Sequence, residues 1–336
     1  MRIVVPKEVY PLEKRVLVLP DAVKRFVQEG NEVFVQVGVG AGIHISDEDY
    51  KKSGAQIVSE ARDLYNLADM IVKVKAPLEG EFSFMHDCIL FSMFHADQNP
   101  AHIYYVGLQG LTVVEIEKIC DARNERMITQ THLTGQAGVL YALRHFDKVP
   151  SDLKVVILGY GHVASGAIDI CNKLGMQVKI LRKKEYNHLR EYLRDADLLI
   201  NGIAWPESAR KKKEYIVTRD DIKNSNPGMV VLDLSVDFPN PIETVKPTTY
   251  SQPYYLDEGR VHISIYGYPG LFPVTSSRLY SEQSVPLISL IATNGGLKDI
   301  AKCGDNGAAI AKSILNPQTH NWQQYKPETV QGSKIE

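Results

Sequence analysis

Gly159 and Gly161 stand two residues apart in KVVILGYGHVASG (Lys154–Gly166), directly after an apolar run. A strand that ends in G-x-G and opens a helix lets the backbone come close to a pyrophosphate. The first amides of that helix, here those of His162 and Val163, then point at the phosphates. Ala164 stands where a third glycine would be, small enough for the helix to pack on the strand. The glycine spacing alone is a weak signal. The apolar strand before it, the helix after it and the second strand QVKIL supply the context that makes it a dinucleotide site.

The end of that second strand reads out the ribose. Sites for NAD place an acid there to accept hydrogen bonds from both ribose hydroxyls, and an acid repels a 2′-phosphate. This chain places Arg182 there, followed by Lys183 and Lys184. A guanidinium fork pairs phosphate oxygens, so the residues ask for NADPH/NADP rather than NADH/NAD. Surface cations with Glu185 close by are the competing explanation.

Three further strand ends carry groups able to act on a small anion: Arg15 shortly after RIVV, Lys75 at the end of MIVKVK, and His95 after ILFSMF. In an open α/β sheet the ligand crevice lies outside the carboxyl ends of the strands. Singly each is an ordinary surface cation or packed histidine. Together they can hold an anion with two cations beside one imidazole.

These residues require a frame, and the chain supplies a repeating one. Short apolar runs (RIVV, EVFVQV, AQIV, MIVKV, CILFSM, LTVVEI) alternate with amphipathic segments, and Ser46 with Asp49 forms a capping-box pattern. A second series follows (KVVIL, QVKIL, LLINGI, MVVLDLS, VHISIY). The alternation predicts an α/β protein of two doubly wound parallel-sheet domains, with a cleft between them. One is a Rossmann dinucleotide-binding domain over 130–271. The other is a Rossmann-like substrate domain, discontinuous over 1–129 and 272–336. Ile128–Phe146 is expected to form one long connecting helix, and Ser276–Gly295 a helix that returns to the first domain. The polar stretch from Asn316 is expected to fray, and the charge run RKKKE at Arg210 to be a solvated face.

Composition narrows the classes. With 336 residues, 44% hydrophobic and a formal net charge of −2, the chain is long enough for two cores and has no basic field for nucleic acid. Cys88, Cys120, Cys171 and Cys303 form no C-x-x-C pair, which fits a reducing cytoplasm and no metal cluster. Met1 leads straight into a strand, and no run is long enough for a membrane span.

The stretches PKEVYPLEKRVLVLPDAV, VQVGVGAGIHISDEDYKKSGAQIV, VKVKAP, LFSMFHA, YIVTRDDIKNSNPGMVVLDLSVDFPNPIETVKPTTY and YGYPGLFPVTSS resemble the alanine dehydrogenase and pyridine nucleotide transhydrogenase family over nearly the whole chain. Its wider branch includes (carboxyethyl)ornithine synthase and saccharopine dehydrogenase, which make N-(carboxyalkyl) amino acids. The resemblance implies that Arg15 and Lys75 bind the substrate carboxylate and that His95 is the catalytic histidine. It places the family aspartate at Asp237, with Asp233 structural, and a cofactor-touching hydroxyl at Thr131. It also implies a homo-oligomer. In those roles Lys75 polarises the substrate oxygen, His95 is a general base kept neutral by neighbouring cations, and Asp237 holds the amine.

Three departures from alanine dehydrogenases stand out. DKVPSDL replaces a long glycine-rich loop, Gly267-Tyr268-Pro269-Gly270 replaces an asparagine-led segment, and Arg182 replaces the ribose-binding acid. The expected activity is therefore an NAD(P)H-dependent reduction of the imine between a small, pyruvate-like 2-oxo acid and an amine. The balance tips slightly to an amino acid as that amine. The alternatives are alanine dehydrogenase using ammonia and a non-catalytic dinucleotide sensor.

Overall fold

The computed structural model describes residues 1–316 and 321–327. The backbone divides into two compact units, Met1–Thr129 with Pro273–Glu336, and Gln130–Phe272. Strands β1 (Arg2–Val5), β2 (Glu32–Gln36), β3 (Gln56–Val58), β4 (Met70–Lys75), β5 (Ile89–Met93) and β6 (Thr112–Glu115) belong to the first. The second holds β7 (Lys154–Leu158), β8 (Gln177–Leu181), β9 (Leu198–Asn201), β10 (Val230–Asp233), β11 (Tyr255–Asp257) and β12 (Arg260–Ile263). The short β13 (Ile314–Leu315) returns to the first unit.

The first sheet runs β13-β6-β5-β4-β1-β2-β3, parallel except for β13. Strand order reverses between β1 and β4, so the loops after those strands diverge and leave a crevice at their carboxyl ends. Its strands are apolar on both faces. Ile3 and Val5 join one core with Val72 and Val74, while Val4 and Ile71 face the opposite side. That is the pattern of a parallel sheet covered by helices on both sides.

The second sheet runs β11-β12-β10-β9-β7-β8, with only β11 antiparallel. Its order reverses between β7 and β9, so the loop after β7 occupies the switch point. Val155 and Ile157 pack on one face, Val156 and Leu158 on the other. Both antiparallel edge strands, β11 and β13, go beyond what the apolar rhythm predicts, being only three and two residues long.

Two segments differ from the sequence expectation. The connecting helix spans Thr131–Ala142, shorter than Ile128–Phe146, and ends in a 3₁₀ turn at Leu143–His145. At its start the Gln283 side chain binds both backbone groups of Thr129, accepting its N–H at 2.9 Å and donating to its carbonyl at 3.0 Å. Those groups are thereby withdrawn from helix pairing. Beyond Asn316, the expected fraying is not what Trp322–Tyr325 does: it forms a 3₁₀ turn with Trp322 packed on Tyr104 and Gly107. The other residues of that stretch, 317–320 and 328–336, lie outside the described residues.

Candidate active site

In the second unit, β7 ends in Gly159, whose φ of +91° is one that only glycine adopts without strain. Gly161 then caps the helix His162–Lys173 without any side chain bonding its first amides. His162 and Val163 begin that helix, leaving their amides available to an anion. Ala164 is fully buried, and a Cβ on Gly202 at the end of β9 would come within 2.8 Å of its methyl. The local geometry therefore fits a dinucleotide pyrophosphate.

A second close packing fixes this helix. A Cβ on Gly166 would meet the His132 carbonyl at 1.9 Å, and one on Gly135 the Val163 carbonyl at 2.2 Å. The helix carrying Thr131 thus crosses the phosphate helix backbone against backbone, with Thr131 at its first position.

Arg182 follows β8, its amide donating to Glu185 Oε2 at 2.6 Å and its guanidinium carbon 5.2 Å from the centre of the Tyr160 ring. Glu185 thus caps the turn rather than occupying the arginine's fork. Lys183 begins the exposed 3₁₀ turn that follows.

Asp237 lies in the loop after β10. Its Oδ2 is 2.8 Å from Arg210 Nη2, with both side chains about a third exposed (28% and 31%). This corrects the reading of RKKKE as merely solvated: its arginine turns inward and also donates through Nε to the Trp205 carbonyl at 2.9 Å. Burial raises the Asp237 pKa, against the opposing pull of Arg210. Asp233, by contrast, is fully buried and structural in its bonding. Its carboxylate accepts from Asn201 (2.7 Å), Ser264 (2.7 Å), Ser235 Oγ (2.9 Å) and the Val236 amide (3.0 Å). That brace holds Val236 at φ +54°, a costly conformation for a β-branched residue, immediately before Asp237.

In the first unit, the loop after β1 and the ends of β4 and β5 gather the remaining groups. Arg15 is 2% exposed; its Nε and Nη2 donate to Glu13 at 2.7 and 2.5 Å, and its guanidinium lies 5.6 Å from the Tyr280 ring centre. Arg15 is thus already gripped by a carboxylate on one edge, a partner the sequence reading did not assign. Burial would raise the Glu13 pKa, but Arg15 outweighs it and the net shift is downward.

Lys75 ends β4 with Nζ 5.2 Å from the Tyr10 ring centre. Its pKa is lowered, first by burial and then by Arg15, with Glu13 and Glu8 opposing. His95 sits at φ +51°, its Nδ1 3.5 Å from Glu117 Oε1. The same carboxylate accepts the amides of Phe94 (3.1 Å) and His95. Burial is the main cause of its lowered pKa; Glu117 raises it, while Lys75, Arg126 and Lys118 lower it. The expected neutral imidazole holds in direction, but the cause is chiefly burial, and Arg126 and Lys118 act alongside Lys75 where Arg15 was expected. The structure therefore brings Lys75 within electrostatic reach of both Arg15 and His95.

Beneath them, Lys73 is buried between Glu81, which it bonds, and Glu8 Oε2 at 4.0 Å. Glu8 accepts the Val74 amide at 2.5 Å through Oε1, while its buried Oε2 has no hydrogen-bond partner.

The family model described as "Alanine dehydrogenase/PNT, N-terminal domain" matches residues 4–139, and its C-terminal counterpart matches 181–316. An alanine dehydrogenase of Staphylococcus epidermidis (strain ATCC 35984) is 31% identical over 336 residues, covering 88% of each chain. The chain belongs to the alanine dehydrogenase/PNT family. The Bacillus subtilis alanine dehydrogenase is 29% identical, covering 93% of this chain and 90% of its own. A solved L-alanine dehydrogenase superposes with a TM-score of 0.85 at 27% identity, covering 97% and 99%. The chain is accordingly an enzyme, a dehydrogenase acting on amino acids with a nicotinamide dinucleotide. Among the described residues no helix is long and apolar enough to cross a membrane, and no group of three or more His, Cys, Asp or Glu could hold a metal ion.

Glu13, Glu117 and Arg210 are the groups that sequence reasoning missed. Glu13 had a signal, an acid two residues before the arginine in PLEKR. Glu117 had another, an acid just after the strand beside the one that precedes His95. Arg210 had none, being hidden among three lysines.

Proposed function

We propose that this family member is an NADP-dependent oxidoreductase that reduces the imine between a small 2-oxo acid and an amine, with an amino acid as the amine. The observation that carries the reading is the electrostatic grouping of Arg15, Lys75 and His95 at the β1–β4 switch point. Two cations beside a neutral imidazole suit an acid whose carboxylate must be held while a proton moves at the neighbouring carbon.

Arg15, fixed by Glu13, offers a rigid guanidinium to the carboxylate. Lys75, half-buried at the end of β4, polarises the oxo oxygen. His95, neutral at the start, takes a proton from the amine nitrogen as the carbinolamine forms and passes it to the former oxo oxygen. That oxygen leaves as water with the proton that Asp237 took from the ammonium, and the reverse direction runs these transfers backwards. Asp237 accepts a proton from the incoming ammonium, a role suited to a carboxylate with a raised pKa. The bound dinucleotide would supply the hydride. It would be held at Gly159, Gly161, His162 and Val163, with Thr131 on the crossing helix. Arg182, stacked on Tyr160, and Lys183 would meet a 2′-phosphate, supporting NADPH over NADH.

The test is NADPH oxidation, followed by absorbance, with pyruvate or 2-oxoglutarate against ammonia and against single amino acids. Failure to oxidise NADPH under every pairing would remove the proposal. A second reading, alanine dehydrogenase proper with ammonia, is favoured by the similarity to enzymes of that name and predicts ammonia as the best amine.

A further inference from the structure

The amine side of the reaction has a feature that ammonia does not need. Arg210 approaches Asp237 most closely through Nη2, 2.8 Å from Oδ2. Its Nε is spent on the Trp205 carbonyl. Nη1 makes no hydrogen bond within the described residues, and neither side chain is sealed from solvent. The pair thus presents one carboxylate and one guanidinium side by side, with a guanidinium edge still to be used.

We infer that Asp237 and Arg210 together read the α-ammonium and α-carboxylate of an amino-acid amine donor, Asp237 taking the ammonium and Arg210 Nη1 the carboxylate. The inference rests on the imine-reduction reading and names the substrate class on its amine side. The chemistry is discriminating. A guanidinium beside the amine-handling carboxylate repels a bare ammonium and neutralises the charge that would attract it. A zwitterion turns the same guanidinium into a second anchor.

The presentation of the pair is rigid. Asp233, holding Ser235, Val236 and Asn201, fixes the turn that carries Asp237, and the Trp205 carbonyl fixes the arginine. A preorganised pair loses little entropy on binding a short, stiff headgroup. Two of the run's three lysines, Lys211 and Lys212, pair with Glu207 and Glu214, whereas the arginine turns to Asp237.

The test uses the full-length enzyme with NADPH and pyruvate, and compares L-ornithine with putrescine, L-lysine with cadaverine, and L-alanine with ethylamine. Each pair differs by the α-carboxylate alone. For the amino acid that turns over, the wild type should prefer it to its decarboxylated partner. In Arg210→Met the ratio of the two kcat/KM values should fall about 10- to 100-fold, the worth of a charge-assisted hydrogen bond. Arg210→Lys, which keeps the charge without the fork, should give an intermediate ratio. The same ratio in wild type and Arg210→Met overturns the inference. So does turnover with ammonia and with no amino acid, which leaves reductive amination itself intact. Absence of NADPH oxidation with every amine, ammonia included, instead removes the reading beneath it.

Discussion

Glu117 faces His95 with Oε1 3.5 Å from the imidazole Nδ1, while the same carboxylate accepts the backbone amides of Phe94 and His95. It therefore both shapes the turn and raises the imidazole pKa against burial and three cations. Glu117→Gln removes the charge and leaves one acceptor oxygen for the two amides. The expected result is a drop in kcat/KM of about 10- to 100-fold with the acid limb of the pH profile moved to lower pH, because the group that raised the histidine pKa is gone. A profile that falls in height without moving would assign Glu117 to backbone support alone.

His95 itself is the general acid–base group of the proposed reaction. His95→Ala should lower kcat by about two to four orders of magnitude. Binding of NADPH, measured by fluorescence titration, should persist, since no second-unit residue is altered. Retained turnover would require a different proton carrier.

Arg182→Asp tests the cofactor. The guanidinium stands over Tyr160 where an acid would read the ribose, so reversing its charge should repel a 2′-phosphate and shift selectivity toward NADH by at least about tenfold. Unchanged selectivity in kcat/KM would show that Arg182 is a surface cation, with Lys183 and the Tyr160 stack as bystanders.

Strands were the most legible part of the fold, because a buried parallel strand must be an apolar run. β4 and β10 stand in the sequence as MIVKVK and VVLD, and the glycine loop after β7 needed only its flanks to be read. Sequence shows positions, while partners depend on what folding brings near. Arg15 was visible at a strand end, but its grip by Glu13 was not. Likewise Arg210 reads as one of four cations until the loop after β10 brings Asp237 to it. The shortened connecting helix has the same origin, since Gln283 lies 154 residues from the Thr129 backbone it binds.

The helix crossing at Gly166 predicts a packing effect on cofactor binding. A methyl there would sit 1.9 Å from the His132 carbonyl oxygen, a backbone atom that cannot swing aside. Gly166→Ala must push the phosphate helix away from the helix Thr131–Ala142. It should cost about 1–3 kcal/mol of stability, and weaken NADPH binding more than binding of the 2-oxo acid. Equal loss of both affinities would mean that the displacement does not reach the loop at Gly159.

Glu8 gives the protein a pH dependence of stability. Burial pushes its carboxyl up from 4.5 to about 7, with Glu13 and Glu81 adding to the shift, and Lys73 and the Val74 amide opposing it. The folded chain then keeps a proton on Glu8 that the unfolded chain releases near 4.5. Between those values the folded state binds more protons, so this group's contribution is fully present below about 4.5 and is lost as pH rises through about 7. The loss is at most roughly 3 kcal/mol, at 1.36 kcal/mol per pKa unit. Glu8→Gln, neutral at every pH, removes that term. Its melting temperature minus that of the wild type should therefore become more positive as pH rises from about 5 to about 8. Parallel melting curves across that range would show that Glu8 stays ionised beside Lys73, with its Oε2 paired by that ammonium in solution.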